Sequence, residues 1–129
     1  MQAPLHALGR PDDAKAAVRK GLQVAERHLE LNPDDARALY LGAQGLMLLG
    51  EREKALEWAR RAQAIDPSDS LTLYNLMCVY ALGGQTDEAL DCLERAIQNG
   101  YGHRAWLDMD TDLDSIRDHP KFQSLRALI

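Results

Sequence analysis

Aromatic side chains are scarce: one Phe, two Trp and four Tyr make up 5% of the chain. Its apolar positions are filled by Leu and Ala instead, which favours helices over the β-branched and aromatic surfaces of sheets. Only two cysteines are present, Cys78 and Cys92, and both lie inside apolar helical patterns. That usage suits buried, reduced thiols better than a disulfide-stapled secreted scaffold. Positive charge is in deficit, 15 Lys and Arg against 20 Asp and Glu, giving a net charge of -5 and a pI near 5.3. The chain therefore lacks the overall positive field that draws phosphate backbones or anionic headgroups, so neither nucleic acid nor membrane is an expected partner. No apolar run reaches bilayer-spanning length, and nothing near Met1 combines a basic segment, an apolar core and a small-residue cleavage site. The expected location is cytoplasmic.

The usual sequence marks of catalysis are missing too. There is no Gly-rich phosphate loop and no Gly-x-Ser-x-Gly elbow, and neither cysteine has a neighbouring base in sequence that would mark a nucleophile. His6, His28, His103 and His119 are scattered, with no pair at metal-ligand spacing on one helix. Asp108, Asp110, Asp112 and Asp114 alternate like the acidic ligands of a calcium loop. However, Leu113 or Ser115 then stands at the sharp-turn glycine position and His119 or Lys121 at the bidentate glutamate position, so these carboxylates read as caps or solvated groups. The expectation is a chain with no catalytic residues, no metal site and no cofactor.

What is present is a repeat. Hydrophobic residues make up 46% and charged residues 27%, ordinary globular usage, and 129 residues suit a single domain. Pro33 and Pro67 stand 34 residues apart in Asn-Pro-Asp-Asp and Asp-Pro-Ser-Asp punctuation. Shifting the chain by that period superimposes Leu39 on Leu73, Tyr40 on Tyr74, Leu48 on Leu82, Gly50 on Gly84, Ala55 on Ala89, Leu56 on Leu90, Arg61 on Arg95 and Ala62 on Ala96. Each unit reads as two helices. The first, Ala36 to Leu49, is apolar at Leu39, Ala43, Leu46 and Met47 and ends at Gly50, which reaches the left-handed cap conformation readily. The second, Glu53 to Ile65, carries Leu56, Ala59, Ala62 and Ile65 and stops before Pro67. The small residues Ala55 and Ala62 let helix axes approach closely.

Upstream, Gly9 and Ala14 repeat the spacing of Gly50 to Ala55, so Asp12 onward reads as the second helix of an earlier unit, longer by about two turns. Ala14, Val18, Leu22, Ala25 and Leu29 then share one stripe. Because Met1 to Leu8 leaves at most a stub of a first helix, the chain is expected to be the C-terminal piece of a longer protein. The expected plan is a single domain: a partial repeat over 1–33, repeats over 34–67 and 68–101, and a cap over 102–129. That cap runs through Ala105, Trp106, Leu107, Leu113 and Ile116 to a short helix begun by Pro120, with Phe122, Leu125 and Leu128 facing inward.

The period, with Leu39, Gly50, Ala55, Ala62 and Pro67 in one unit and Leu73, Leu76, Tyr80, Gly84, Ala89 and Ala96 in the next, resembles the tetratricopeptide repeat. Leu46 stands where that family often has Tyr, Gly42 where a larger apolar residue is usual, and Tyr101 where the closing Pro would stand. The resemblance implies an all-α superhelix of antiparallel helix hairpins with a C-terminal capping helix, and the ending is similar to those of repeat modules attached to bacterial nucleotide cyclases, kinases and regulators. It also implies a scaffold that binds a partner peptide or protein on the concave face lined by first helices: Arg37, Tyr40, Gln44, Met47, Leu71, Tyr74, Asn75 and Cys78. Independently, Tyr40 and Tyr74 coincide under the shift and offer an apolar body with a polar tip, while Asn75 can pair with a backbone amide. Only Arg37 and Asn75 are available to clamp a terminal carboxylate, so chaperone-tail binding is not expected. The alternative function is a structural, self-associating segment of a larger bacterial signalling protein. A truncated start would leave the Ala14, Val18 and Leu22 side under-covered, which leaves a homodimer open. Whether Trp106 and Phe122 fold back into the groove is also open.

Overall fold

The computed structural model describes residues 11–129. The stub Met1 to Leu8 and Gly9 lie outside the described residues. Within them the chain is all-helical, with no strand. Helix α1 spans Pro11–Leu31, α2 Ala36–Leu48, α3 Arg52–Ile65, α4 Ser70–Leu82, α5 Thr86–Gln98, α6 Arg104–Met109 and α7 Pro120–Arg126, with a 3-10 turn at Thr111–Leu113.

Both first helices start the same way. Asp35 and Asp69 are the N-caps of α2 and α4, their carboxylates accepting from the amides of Ala38 (3.1 Å) and Thr72 (2.9 Å). Those bonds satisfy donors that a bare helix start would leave unpaired. The hairpin turns are also alike. Gly50 and Gly84 adopt φ of 81° and 78°, and the following amides of Glu51 and Gln85 donate back to the carbonyls of Leu46 (2.9 Å) and Tyr80 (2.8 Å). This is the left-handed glycine closure that ends a helix while saturating its last carbonyls. Gly100, at φ 99°, ends α5 in the same manner, with Tyr101 donating to Ala96.

Helices α2 and α3 form one hairpin, α4 and α5 the next, and α1 packs on α2 where a preceding second helix would lie. The first helices α2 and α4 pack on each other, and α3 also rests on α4. The second helices α3 and α5 are bridged by long side chains, the Arg60 guanidinium gripping both oxygens of Glu88 at 3.1 and 2.6 Å. First helices therefore form one row of the stack, called the inner row below, and second helices the other. Repeat-related Leu39 and Leu73, Leu56 and Leu90, Ala55 and Ala89, and Ala62 and Ala96 are all buried. Leu48 and Leu82 also coincide under the shift, yet both are exposed at the hairpin tips.

Helix α1 lays its expected stripe on the stack, with Leu29 buried and Ala14, Val18, Leu22 and Ala25 partly so. Gly42, where a larger residue is usual, has a local cause: a Cβ there would collide with Cζ3 and Cε3 of Trp58, whose indole fills that space from α3. The C-terminal segment buries Leu107, Leu113, Ile116, Phe122 and Leu125, α7 resting on α5 and the 3-10 turn on α4. Of the three residues expected to face inward from α7, Phe122 and Leu125 are buried but Leu128 is 69% exposed; upstream, Trp106 is half-exposed and Ala105 is exposed. Leu128 falls past the end of α7, so the helical stripe no longer governs its direction.

Candidate protein-binding face

The inner face is set by α2 and α4. Under the repeat shift Arg37 corresponds to Leu71, and both are exposed at the entrances of their helices. Between them the Gln44 amide donates to Asn75 Oδ1 at 3.0 Å, and Asn75 Nδ2 donates to the Leu71 carbonyl at 2.9 Å. The two side chains thus form a polar floor whose unused donor and acceptor capacity faces outward. Met47 is half-buried, with its methyl near Gly83 at the end of α4.

Tyr40, Tyr74 and Cys78 are buried. Burial pushes the Tyr40 hydroxyl upward, with smaller contributions from Asp69, Asp66 and Asp35. Tyr74 is covered by the C-terminal segment. Its hydroxyl donates to Asp110 Oδ2 at 2.6 Å, and its ring stacks on Tyr101 (5.3 Å) and meets Trp106 edge-on (5.7 Å). The Cys78 thiol donates to the same carboxylate oxygen at 3.5 Å. The question left open by the sequence therefore has a divided answer: Trp106 comes over Tyr74 on the inner face, while Phe122 is spent in the core.

Desolvation, and then the adjacent Asp110, push the Tyr74 hydroxyl and the Cys78 thiol far upward. Both act as neutral hydrogen-bond donors. Cys78 Sγ and carboxylate oxygens of Asp110 and Asp112 lie within 4.8 Å of one another, but a metal would need the thiolate, which this surrounding opposes. Cys92 is likewise pushed up to about 12 by burial. The alternating aspartates serve separate partners: Asp108 binds Arg126 (2.7 Å), Asp114 binds Arg117 (3.2 Å), and Asp110 Oδ1 accepts the Asp112 amide (3.0 Å) at the start of the 3-10 turn.

One open cavity, of ≈ 370 Å³ and lined by Tyr74, Trp106, Met109 and Asp110, lay outside the sequence reading. Another is an apolar groove of ≈ 460 Å³ between α1 and α2, lined among others by Val18, Leu22, Val24, Leu41 and Gly45, on the Val18 and Leu22 side of α1 expected to be under-covered. Repeat alignment could not show the first, because it joins α4 to a segment that lies beyond the repeats.

Capped hairpins closed by left-handed glycines and stacked through small residues define a helical-repeat protein of the tetratricopeptide type. The family described as "Anaphase-promoting complex, cyclosome, subunit 3" matches over residues 6–96, and the chain belongs to it. No curated protein matches the chain. Repeats of this type mediate protein–protein interactions and are typically non-enzymatic. Among the described residues no helix is long and apolar enough to cross a membrane.

Proposed function

We propose that the chain is a binding module, not an enzyme, that holds a partner peptide or protein along its inner face. Its binding groups are Arg37, Gln44, Leu71 and Asn75, with Tyr40, Met47, Tyr74 and Cys78 packed beneath and beside them. The observation that carries this reading is the exposed apolar Leu71 beside a side-chain amide pair that bridges two helices. Main-chain groups of an extended segment can pair with the amides while its side chains cover Leu71.

Tyr40 and Tyr74 are poor test positions, because truncating either would open the core. The double variant Arg37→Glu with Leu71→Glu changes only exposed positions. Affinity capture from the source organism's soluble lysate should yield a partner with wild type and lose it with this variant at unchanged helical content. Equal capture by both would remove the inner face from consideration.

A second reading has its own observation. The groove between α1 and α2 exposes Val24 (66%) and Leu41, an apolar surface that a second copy could cover. Light scattering should then show mass rising with concentration, and a strict monomer at high concentration would end that reading.

A further inference from the structure

The cavity beside Tyr74 has a definite chemistry. Asp110 lines it, half-buried, and among the described residues no Lys or Arg forms an ion pair with its carboxylate. Arg126 is held by Asp108, and Arg117 directs its guanidinium to the carbonyls of Leu107 (2.5 Å) and Asp110 (2.7 Å) and to Asp114. The other walls are apolar. His103 stacks on Trp106 at 4.5 Å and Tyr74 meets the indole edge-on, yet Trp106 remains 48% exposed, so part of its ring is open to the cavity. Met109, 79% exposed, forms the outer rim.

An exposed indole, a solvent-facing thioether and a carboxylate without a Lys or Arg counter-ion form a receptor for a cation on an aliphatic stem. The part of the indole left open beside its stack on His103 attracts positive charge through its quadrupole, and Trp106 and Met109 can cover methylene groups. The carboxylate also discriminates between cations. Asp110 Oδ2 already accepts from Tyr74 and Cys78 and Oδ1 from the Asp112 amide. The parallel pair of free oxygens that a guanidinium fork prefers is absent, whereas an ammonium acts as a point charge and needs one acceptor.

We propose that this cavity receives a lysine side chain from the bound partner, its ammonium against Asp110 and its stem between Trp106 and Met109. The proposal rests on the inner face being the binding face, and it adds that the partner segment carries an internal lysine at the end nearest the C-terminal cap. The chain's net charge of -5 favours the same polarity of partner.

The test is titration of the full chain with N-acetyl-lysine methylamide, followed by NMR of the indole N–H signals. Trp58, packed against Gly42 away from the cavity, is the internal control. The Trp106 signal should shift and the Trp58 signal should not. The neutral norleucine analogue and the Asp110→Asn variant should each bind roughly tenfold more weakly, the scale of a lost desolvated cation contact. The amide introduced by Asp110→Asn can still accept from Tyr74 but loses the bond from the Asp112 amide, and unchanged Trp58 and helical signals verify that the fold is kept. Trp106→Leu, a change at a half-exposed position followed by methyl signals of Met109, should weaken binding similarly. Equal binding of the lysine and norleucine analogues, tighter binding of the arginine analogue, or undiminished binding by Asp110→Asn would overturn the proposal. Should it fall while Arg37→Glu with Leu71→Glu still loses the partner, the binding face stands and only the lysine is withdrawn.

Discussion

Gly42 and Gly21 are both helical glycines, yet a methyl group should act on them in opposite directions. At Gly21 a Cβ would meet nothing within 4 Å, so Gly21→Ala should stabilise by about 0.5–1 kcal/mol through helix propensity and the lost freedom of the unfolded chain. At Gly42 the same Cβ would collide with the Trp58 ring, which is buried and cannot swing aside freely, so Gly42→Ala should destabilise by about 1–3 kcal/mol. Denaturant midpoints of the two variants, measured side by side, check the opposite signs. Asp112 supplies a charge prediction at the same scale. Burial, followed by Asp110 and Asp114, raises its folded pKa above the ordinary value of 3.8. A carboxyl raised on folding opposes stability fully above its folded pKa, and that penalty shrinks as pH falls through the folded value and is gone below the unfolded one. Asp112→Asn should therefore raise the melting temperature by a few degrees at most at neutral pH, and the gain should vanish in acid.

The helices differ in how much of them could be read in advance. Hairpins α2/α3 and α4/α5 were legible because their marks are local: an aspartate cap, an apolar step of three or four, and a glycine at the hairpin tip. Helix α1 was legible for the same reason, its stripe surviving an insertion of about two turns. Helix α4 shows where periodicity stops helping. It buries Thr72, Leu73, Tyr74 and Leu76 through Ala81, so apart from Leu71, Asn75 and Leu82 it is covered all round and has no single apolar stripe to point with. The covering element on its inner side, α6 with the 3-10 turn, makes contacts 32 to 36 residues away in sequence, and no local pattern announces them. That is why Tyr40 and Tyr74 could be placed on the inner row but the closure of Trp106 over Tyr74 could not. The caps themselves are testable. Asp69→Ala removes the acceptor for the amide of buried Thr72, whose hydroxyl keeps Asp66 as a partner, and should cost about 1–2 kcal/mol by thermal unfolding. Asp35 behaves as a pH-dependent cap. The His28 ring, bonded at 2.7 Å, and the Ala38 amide hold its carboxyl below the usual value. The stability it contributes is present above the unfolded pKa near 3.8 and is lost as pH falls through the lower folded value. His28→Ala should thus move the acid-unfolding limb to higher pH.

For the molecule as a whole, the C-terminal segment has two duties. It closes the last hairpin with Leu107, Leu113, Ile116, Phe122 and Leu125, and it extends the inner face with Trp106 and Met109. Removing residues 102–129 should expose Tyr74, Cys78 and Tyr101 and leave a chain that melts earlier and aggregates, as scattering during a thermal ramp would show. The other end of the stack carries the apolar α1–α2 groove, so the molecule presents two distinct surfaces: a polar-floored inner face with an acidic end, and an apolar flank. The central claim is that the inner face is the one that holds a partner. It is tested most directly by placing a photo-crosslinking residue at Leu71 or Asn75 on the inner row, or at exposed Arg61 on α3, and irradiating each in the source organism's soluble lysate. Crosslinks to the same partner at positions 71 and 75 and none at 61 are the expected result; a partner caught at 61 and missed at both inner positions would contradict the account.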